Sequence, residues 1–143
     1  MDSIAELLEG MAANKHDNHG THCGESILEH TLGVMQCIRH KDPNNKALIL
    51  AALFHDIGKP YVRKDGGNRI LYYGHEKESA RICNEVLGQI EEIPEAIRKE
   101  ACWIVSHHLD PETGLSETGE YAKDLKTFMH CDSINEVCED GTM

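Results

Sequence analysis

Apolar residues return every three or four positions along most of this chain, the spacing of one face of an α-helix. Ile4, Leu7, Leu8 and Met11 place a short helix over Ser3 to Met11. Asn14 to Gly24 is polar and reads as a loop carrying His16, His19 and His22. A helix is expected from about Ser26 to Arg39. Its stripe combines Ile27, Val34 and Ile38 with Leu28, Leu32 and Met35, and His30 lies between the two sets. Ser26, His30 and Val34 share one side through their i, i+4 spacing.

After the turn Asp42-Pro43-Asn44-Asn45, residues Lys46 to His55 are apolar nearly all round. Alanine and leucine dominate and favour helix over strand. A helix with no polar face belongs at the centre of a bundle. Gly58 should end it and Pro60 should prevent its resumption. Across Asp65-Gly66-Gly67-Asn68, Tyr61-Val62-Arg63 and Arg69-Ile70-Leu71-Tyr72 form either a minor hairpin or a plain loop. Helices follow over His75 to Leu87 and Pro94 to His107. Pro111-Glu112-Thr113-Gly114 is loop. A last helix, Thr118 to Cys138, aligns Tyr121, Leu125, Phe128 or Met129, and Asp132. The pattern predicts an all-α bundle of about five to seven helices. One domain over 1–143 is expected, with its core at about 20–138.

No apolar stretch is long enough to span a bilayer. The opening Met1-Asp2-Ser3-Ile4-Ala5-Glu6 is acidic, unlike a secretory leader. The six cysteines, at 23, 37, 83, 102, 131 and 138, show no CxxC spacing. Cys37, Cys83 and Cys102 sit in apolar helical patterns and read as small buried hydrophobes. Reduced thiols and a cytoplasmic location are therefore expected. A net charge of -11 disfavours a stable complex with long nucleic acid but leaves small phosphorylated molecules open. A homodimer is compatible with these features.

The chemistry concentrates where the central apolar run breaks, at Leu53-Phe54-His55-Asp56-Ile57-Gly58-Lys59-Pro60. His-Asp alone is weak evidence, for it recurs at His16-Asp17 in a polar loop. His30, His75, His107 or His108, and Asp132 also lie in or beside apolar helices. Each histidine taken singly is more often a hydrogen-bonded core residue than a ligand. Asp132, however, interrupts an apolar face, where a carboxylate without a partner is costly. Imidazoles and carboxylates around a divalent ion resolve that cost, and this donor set suits iron, manganese, cobalt, nickel, zinc or magnesium.

These same residues carry a resemblance. The chain resembles the HD-domain superfamily of metal-dependent phosphohydrolases, whose pattern is a lone histidine, then His-Asp, then a distant aspartate. Here those are His30, His55-Asp56 and Asp132. The likeness extends to HD domains attached to bacterial tRNA nucleotidyltransferases through His22 to Met35, Leu53 to Pro60, and Gly74-His75-Glu76 with Ser79-Ala80. Cys23-Gly24-Glu25-Ser26 departs from that branch by reversing glycine and glutamate, and its nucleotidyltransferase head domain is absent. The resemblance covers residues 20 to 135 and implies an HD-type helical bundle. It implies that His30, His55, Asp56 and Asp132 hold one metal. His75 with His107 or His108 match the extra histidines of branches with two metals, where Asp56 bridges; His107 is the expected ligand.

The expected reaction is attack of a metal-activated water on a phosphomonoester or phosphodiester of a nucleotide, dinucleotide or related small metabolite. Asp56 and Lys59 are the expected catalytic residues. Lys59 also binds phosphate, with Arg63, His22 and His108 as further substrate contacts. Arg69 and Arg81 are weaker candidates for which a surface salt bridge is the plainer reading. Tyr72 and Tyr73 fit either a stacked base or the core. His16, His19 and His22 have the spacing of a second cluster but read as a polar loop. Two other classes compete: a non-catalytic nucleotide-binding or regulatory module, and a di-iron oxygenase.

Overall fold

The computed structural model describes residues 4–14, 26–67, 70–109 and 120–135. These form α1 (Ile4–Ala13), α2 (Ile27–Lys41), α3 (Lys46–Phe54), α4 (Lys59–Val62), α5 (His75–Gly88), α6 (Glu95–His107) and α7 (Glu120–Ile134). Two-residue strands β1 (Lys64–Asp65) and β2 (Ile70–Leu71) pair antiparallel, Lys64 opposite Leu71. The all-α expectation holds, and the minor hairpin exists in shortened form. Tyr61 and Val62 belong to α4 instead of a strand.

Local chemistry sets the helix ends. Ser26 caps α2 through a reciprocal pair: Glu29 N–H donates to Ser26 Oγ at 2.9 Å, and Ser26 N–H donates to Glu29 Oε1 at 2.8 Å. Such a box contributes about 1 kcal/mol and fixes where the first turn begins, hence where His30 points. Asn45 caps α3 by accepting from Leu48 N–H at 3.0 Å. Its Nδ2 also donates to buried Asp124 on α7 at 3.0 Å, tying the start of α3 to α7. Arg39, His40 and Lys41 in the last turn of α2 complement its dipole.

α3 lies in the middle, packed on α2, α5, α6 and α7. Ala47, Leu48, Ala51, Ala52 and Phe54 are buried there, which accounts for an apolar run without a polar face. α2 turns Ile27, His30, Thr31, Val34 and Ile38 inward, while Leu32 is exposed. Leu125 and Phe128 of α7 complete the core.

Two expectations need correction. Pro60 does not stop the chain from resuming helix, since α4 begins at Lys59. A proline in the first turn lacks only an N–H that would have no intrahelical partner, and its φ suits the helix. Nor are the cysteines uniformly reduced: Cys37 of α2 and Cys131 of α7 form a disulfide, with Cα atoms 5.7 Å apart. Their geometry meets the spacing a disulfide requires although they lie 94 positions apart, a relation no local pattern announces. Cys83 and Cys102 are free. Among the described residues no helix is long and apolar enough to cross a membrane.

Candidate metal centre

Helix α3 ends at Phe54, and the turn that follows aims two consecutive side chains at one point. His55 donates from Nδ1 to Ala52 O at 2.7 Å, leaving Nε2 directed inward. Asp56 Oδ2 lies 3.2 Å from that Nε2. The turn runs close beneath α5: Gly58 N–H donates to Ser79 Oγ at 2.8 Å. A Cβ at position 58 would stand 2.6 Å from Ser79 N and 3.0 Å from Glu78 C, so only glycine fits. Ser79, in the Gly74 to Ala80 block, thereby fixes the His-Asp turn against the helix that begins with His75.

Four histidines converge around Asp56. His30 comes from α2, His55 from the end of α3, His75 from the first turn of α5, and His108 from the end of α6. Asp56 Oδ1 lies 3.1 Å from His75 Nε2 and 3.8 Å from His108 Nε2. Oδ2 of the same carboxylate faces His55 and, at 3.8 Å, His30 Nε2. Asp132 of α7 lies 2.7 Å from His30 Nε2 and 3.3 Å from His55 Nε2. His55 and His108 also pack edgewise against the Phe128 ring.

All four rings are oriented alike. Nδ1 of His30, His55, His75 and His108 faces the carbonyl of Asn135, Ala52, Tyr72 and Val105 respectively, at 2.6 to 3.1 Å. A carbonyl oxygen can only accept, so each Nδ1 carries the hydrogen and each Nε2 turns to the cluster. Carbonyl partners of this kind orient metal-binding imidazoles.

Opposite charges are concentrated at the same point. Burial opposes a charge on His55, but Asp56 and then Asp132 outweigh it and raise its pKa to about 10. Burial, reinforced by the His55 charge, lowers His108 to about 4, so its ring is neutral near pH 7. Burial would also raise Asp56, yet His55, Lys59 and His75 hold it well below the usual carboxylate range. Asp132 is likewise held low despite burial, through His30 and His55.

The donor set of this site suits a metal centre. His55 Nε2 and His75 Nε2 are buried and face only carboxylate oxygens, at 3.1 to 3.3 Å, without a well-directed hydrogen bond. Such orphaned nitrogens are costly in a protein interior and serve naturally as ligands. His30, His55 and Asp56 form one group of converging donor atoms, all within 4.8 Å of one another, and Asp56, His75 and His108 form a second. Asp56 belongs to both. The set can hold a divalent ion.

His107, the expected ligand, is elsewhere. Its ring stacks on Trp103 with centroids 4.5 Å apart, and Nδ1 donates to Trp103 O at 2.8 Å. His108 takes the place in the cluster. Buried Ala101, Ile104 and Val105 define the inner face of α6, and position 108 continues that i, i+3, i+4, i+7 stripe. That periodicity was the available signal.

Lys59 is buried and places Nζ 3.3 Å from Asp56 Oδ2 and 5.1 Å from the centre of the Tyr72 ring. Arg63 donates to Tyr72 Oη at 3.0 Å and is exposed. Tyr72 thus stands between the two cations, while Tyr73 is 78% exposed and outside the core. Arg81 is engaged by Glu78 and Glu85 on the surface. His16, His19, His22 and Arg69 lie outside the described residues.

A family model for the HD domain matches residues 27–134. The chain belongs to the HD domain family. The match runs from the first residue of α2 to the last of α7, and so takes in every member of the cluster. HD domains are generally metal-dependent hydrolases, and the family places this chain in a metal-dependent phosphohydrolase superfamily. The match does not support a particular closeness to the HD domains of tRNA nucleotidyltransferases. Neither the curated proteins nor the solved structures gave a match.

Proposed function

We propose that this HD domain protein is a divalent-metal-dependent phosphohydrolase that cleaves an ester of a small, nucleotide-like phosphorylated metabolite. The observation that carries this reading is the sharing of Asp56 between two groups of nitrogen donors, with Lys59 beside it. In this assignment His30, His55 and Asp132 serve one ion, His75 and His108 serve a second, and Asp56 serves both. Bound ions would polarise the phosphoryl group and lower the pKa of an attacking water.

The protein's own groups supply position and charge. Carbonyl partners at Nδ1 orient the four imidazoles with Nε2 toward the centre. Lys59 is proposed to bind a non-bridging phosphate oxygen, because its ammonium is pinned between Asp56 and Tyr72 and needs little ordering to meet it. Arg63 is a proposed contact at the outer side of the substrate, and His22 a further proposed substrate contact. The net charge of -11 favours a small substrate over long nucleic acid.

The test is a screen of phosphomonoesters and phosphodiesters with protein reconstituted separately with manganese, iron, cobalt and magnesium. Metal-dependent release of phosphate or alcohol from a nucleotide-like ester is expected. Tight nucleotide binding without turnover under every metal would instead assign a regulatory module. Oxygen consumption with iron would assign an oxygenase.

A further inference from the structure

Three of the four clustered imidazoles take their carbonyl partner from three residues earlier in the chain: His55 from Ala52, His75 from Tyr72, His108 from Val105. Those rings are oriented once the local backbone folds. His30 differs. Its Nδ1 donates to the carbonyl of Asn135 at 3.1 Å, across 105 positions of sequence. Its orientation therefore depends on how the end of α7 sits on α2.

That seat has a specific construction. Asn135 follows the last residue of α7, and its Nδ2 donates back to Cys131 O at 2.8 Å. The side chain lies directly over Gly33 of α2. A Cβ at position 33 would overlap Asn135 Oδ1 and stand 3.1 Å from its Cγ. Glycine inside a helix costs roughly 0.5–1 kcal/mol relative to alanine. At position 33 the glycine leaves room for the Asn135 side chain, whose tip would otherwise have to move.

We infer that Asn135, through its main-chain carbonyl, is a positioning residue for His30, and that Gly33 is the seat which admits it. This rests on the metal reading proposed above. Asp132 and Asn135 flank the same imidazole, one at Nε2 and the other at Nδ1. The end of α7 and the residue after it thus supply both a carboxylate for the centre and the acceptor that aims His30 at it. Acceptors of this kind commonly change metal affinity 10–100-fold, roughly, when lost.

The full chain, stripped with a chelator, is titrated with cobalt(II) in competition with a coloured chelator. Gly33→Ala should weaken cobalt binding about 10–100-fold. Asn135→Ala keeps the carbonyl and leaves only its Cβ, 3.9 Å from the added methyl, so in that background Gly33→Ala should be silent. In the zinc-loaded parent, a coupling across the hydrogen bond between His30 Nδ1 and the Asn135 carbonyl carbon should be visible by NMR. Parental affinity in folded Gly33→Ala, equal weakening in both backgrounds, or absence of that coupling would each overturn the inference. The coupling decides if Gly33→Ala does not fold. A parent that binds neither cobalt nor zinc overturns the metal reading and this inference with it, whereas a parent that binds while Gly33→Ala is unaffected overturns this inference alone.

Discussion

Asp56 directs Oδ1 at His75 Nε2 across 3.1 Å, and the same carboxylate turns its other oxygen to His55, 3.2 Å away. One aspartate therefore joins the end of α3 to the start of α5. The contact depends on the close crossing of Gly58 and Ser79 just beyond it, so the backbone of the His-Asp turn and the metal chemistry proposed for it are one construction.

The two adjacent histidines at the end of α6 should behave differently when truncated. His108→Ala is expected to reduce bound metal from two ions to one. It should lower hydrolysis more than about 100-fold, since losing a partner of a ligand alone costs 10–100-fold. His107→Ala loses the stack on Trp103 and should keep both ions and most of the activity. Metal content by elemental analysis, paired with turnover, separates the two variants.

Lys59→Met should leave metal content unchanged and lower kcat about 100- to 1000-fold, the usual effect of removing one charge-stabilising donor. A loss of metal instead of turnover would show that the lysine supports Asp56 and does not act on phosphate.

The pKa shifts predict how the metal-stripped protein responds to pH. With His55 raised from 6.5 to about 10, the folded protein holds a proton between those values that the unfolded chain has released. Stability therefore falls as pH rises through that window. With His108 lowered from 6.5 to about 4, the unfolded chain takes up a proton first as pH drops, and stability falls on that side also. Asp56 and Asp132, both lowered, continue the fall below their ordinary value of 3.8. Urea unfolding should show a maximum near pH 6.5, with each titrating group contributing a slope of about 1.4 kcal/mol per pH unit. A maximum at pH 9 would contradict these assignments. Metal binding near pH 7.5 should release at least one proton, read by calorimetry in buffers of different ionisation enthalpy.

Gly58→Ala should destabilise by about 1–3 kcal/mol, because the new methyl meets α5 backbone instead of a movable side chain. Metal affinity should fall with it, since relieving the clash separates Asp56 from His75. Thermal melting and cobalt titration together check both effects.

Much of this was legible in the sequence because period and interruption are local signals. The apolar run at Lys46 to Phe54 announced a central helix, and His55-Asp56 announced its polar end. His30 and Asp132 stood out as polar positions on faces that had to be buried. What was missed depended on angle or on distance along the chain. His107 and His108 differ by one step of helical rotation, and only the stripe through Ala101, Ile104 and Val105 distinguishes them. The Cys37–Cys131 bond and the carbonyl of Asn135 depend on how α2 and α7 meet. A main-chain carbonyl has no residue type by which to be noticed.

The sharing of Asp56 by two ions is tested most directly by anomalous scattering from crystals soaked in manganese. Two peaks flanking the Asp56 carboxylate are expected, one toward His30, His55 and Asp132, the other toward His75 and His108. No peak within coordination distance of Asp56, or peaks lying only at other residues, would contradict it.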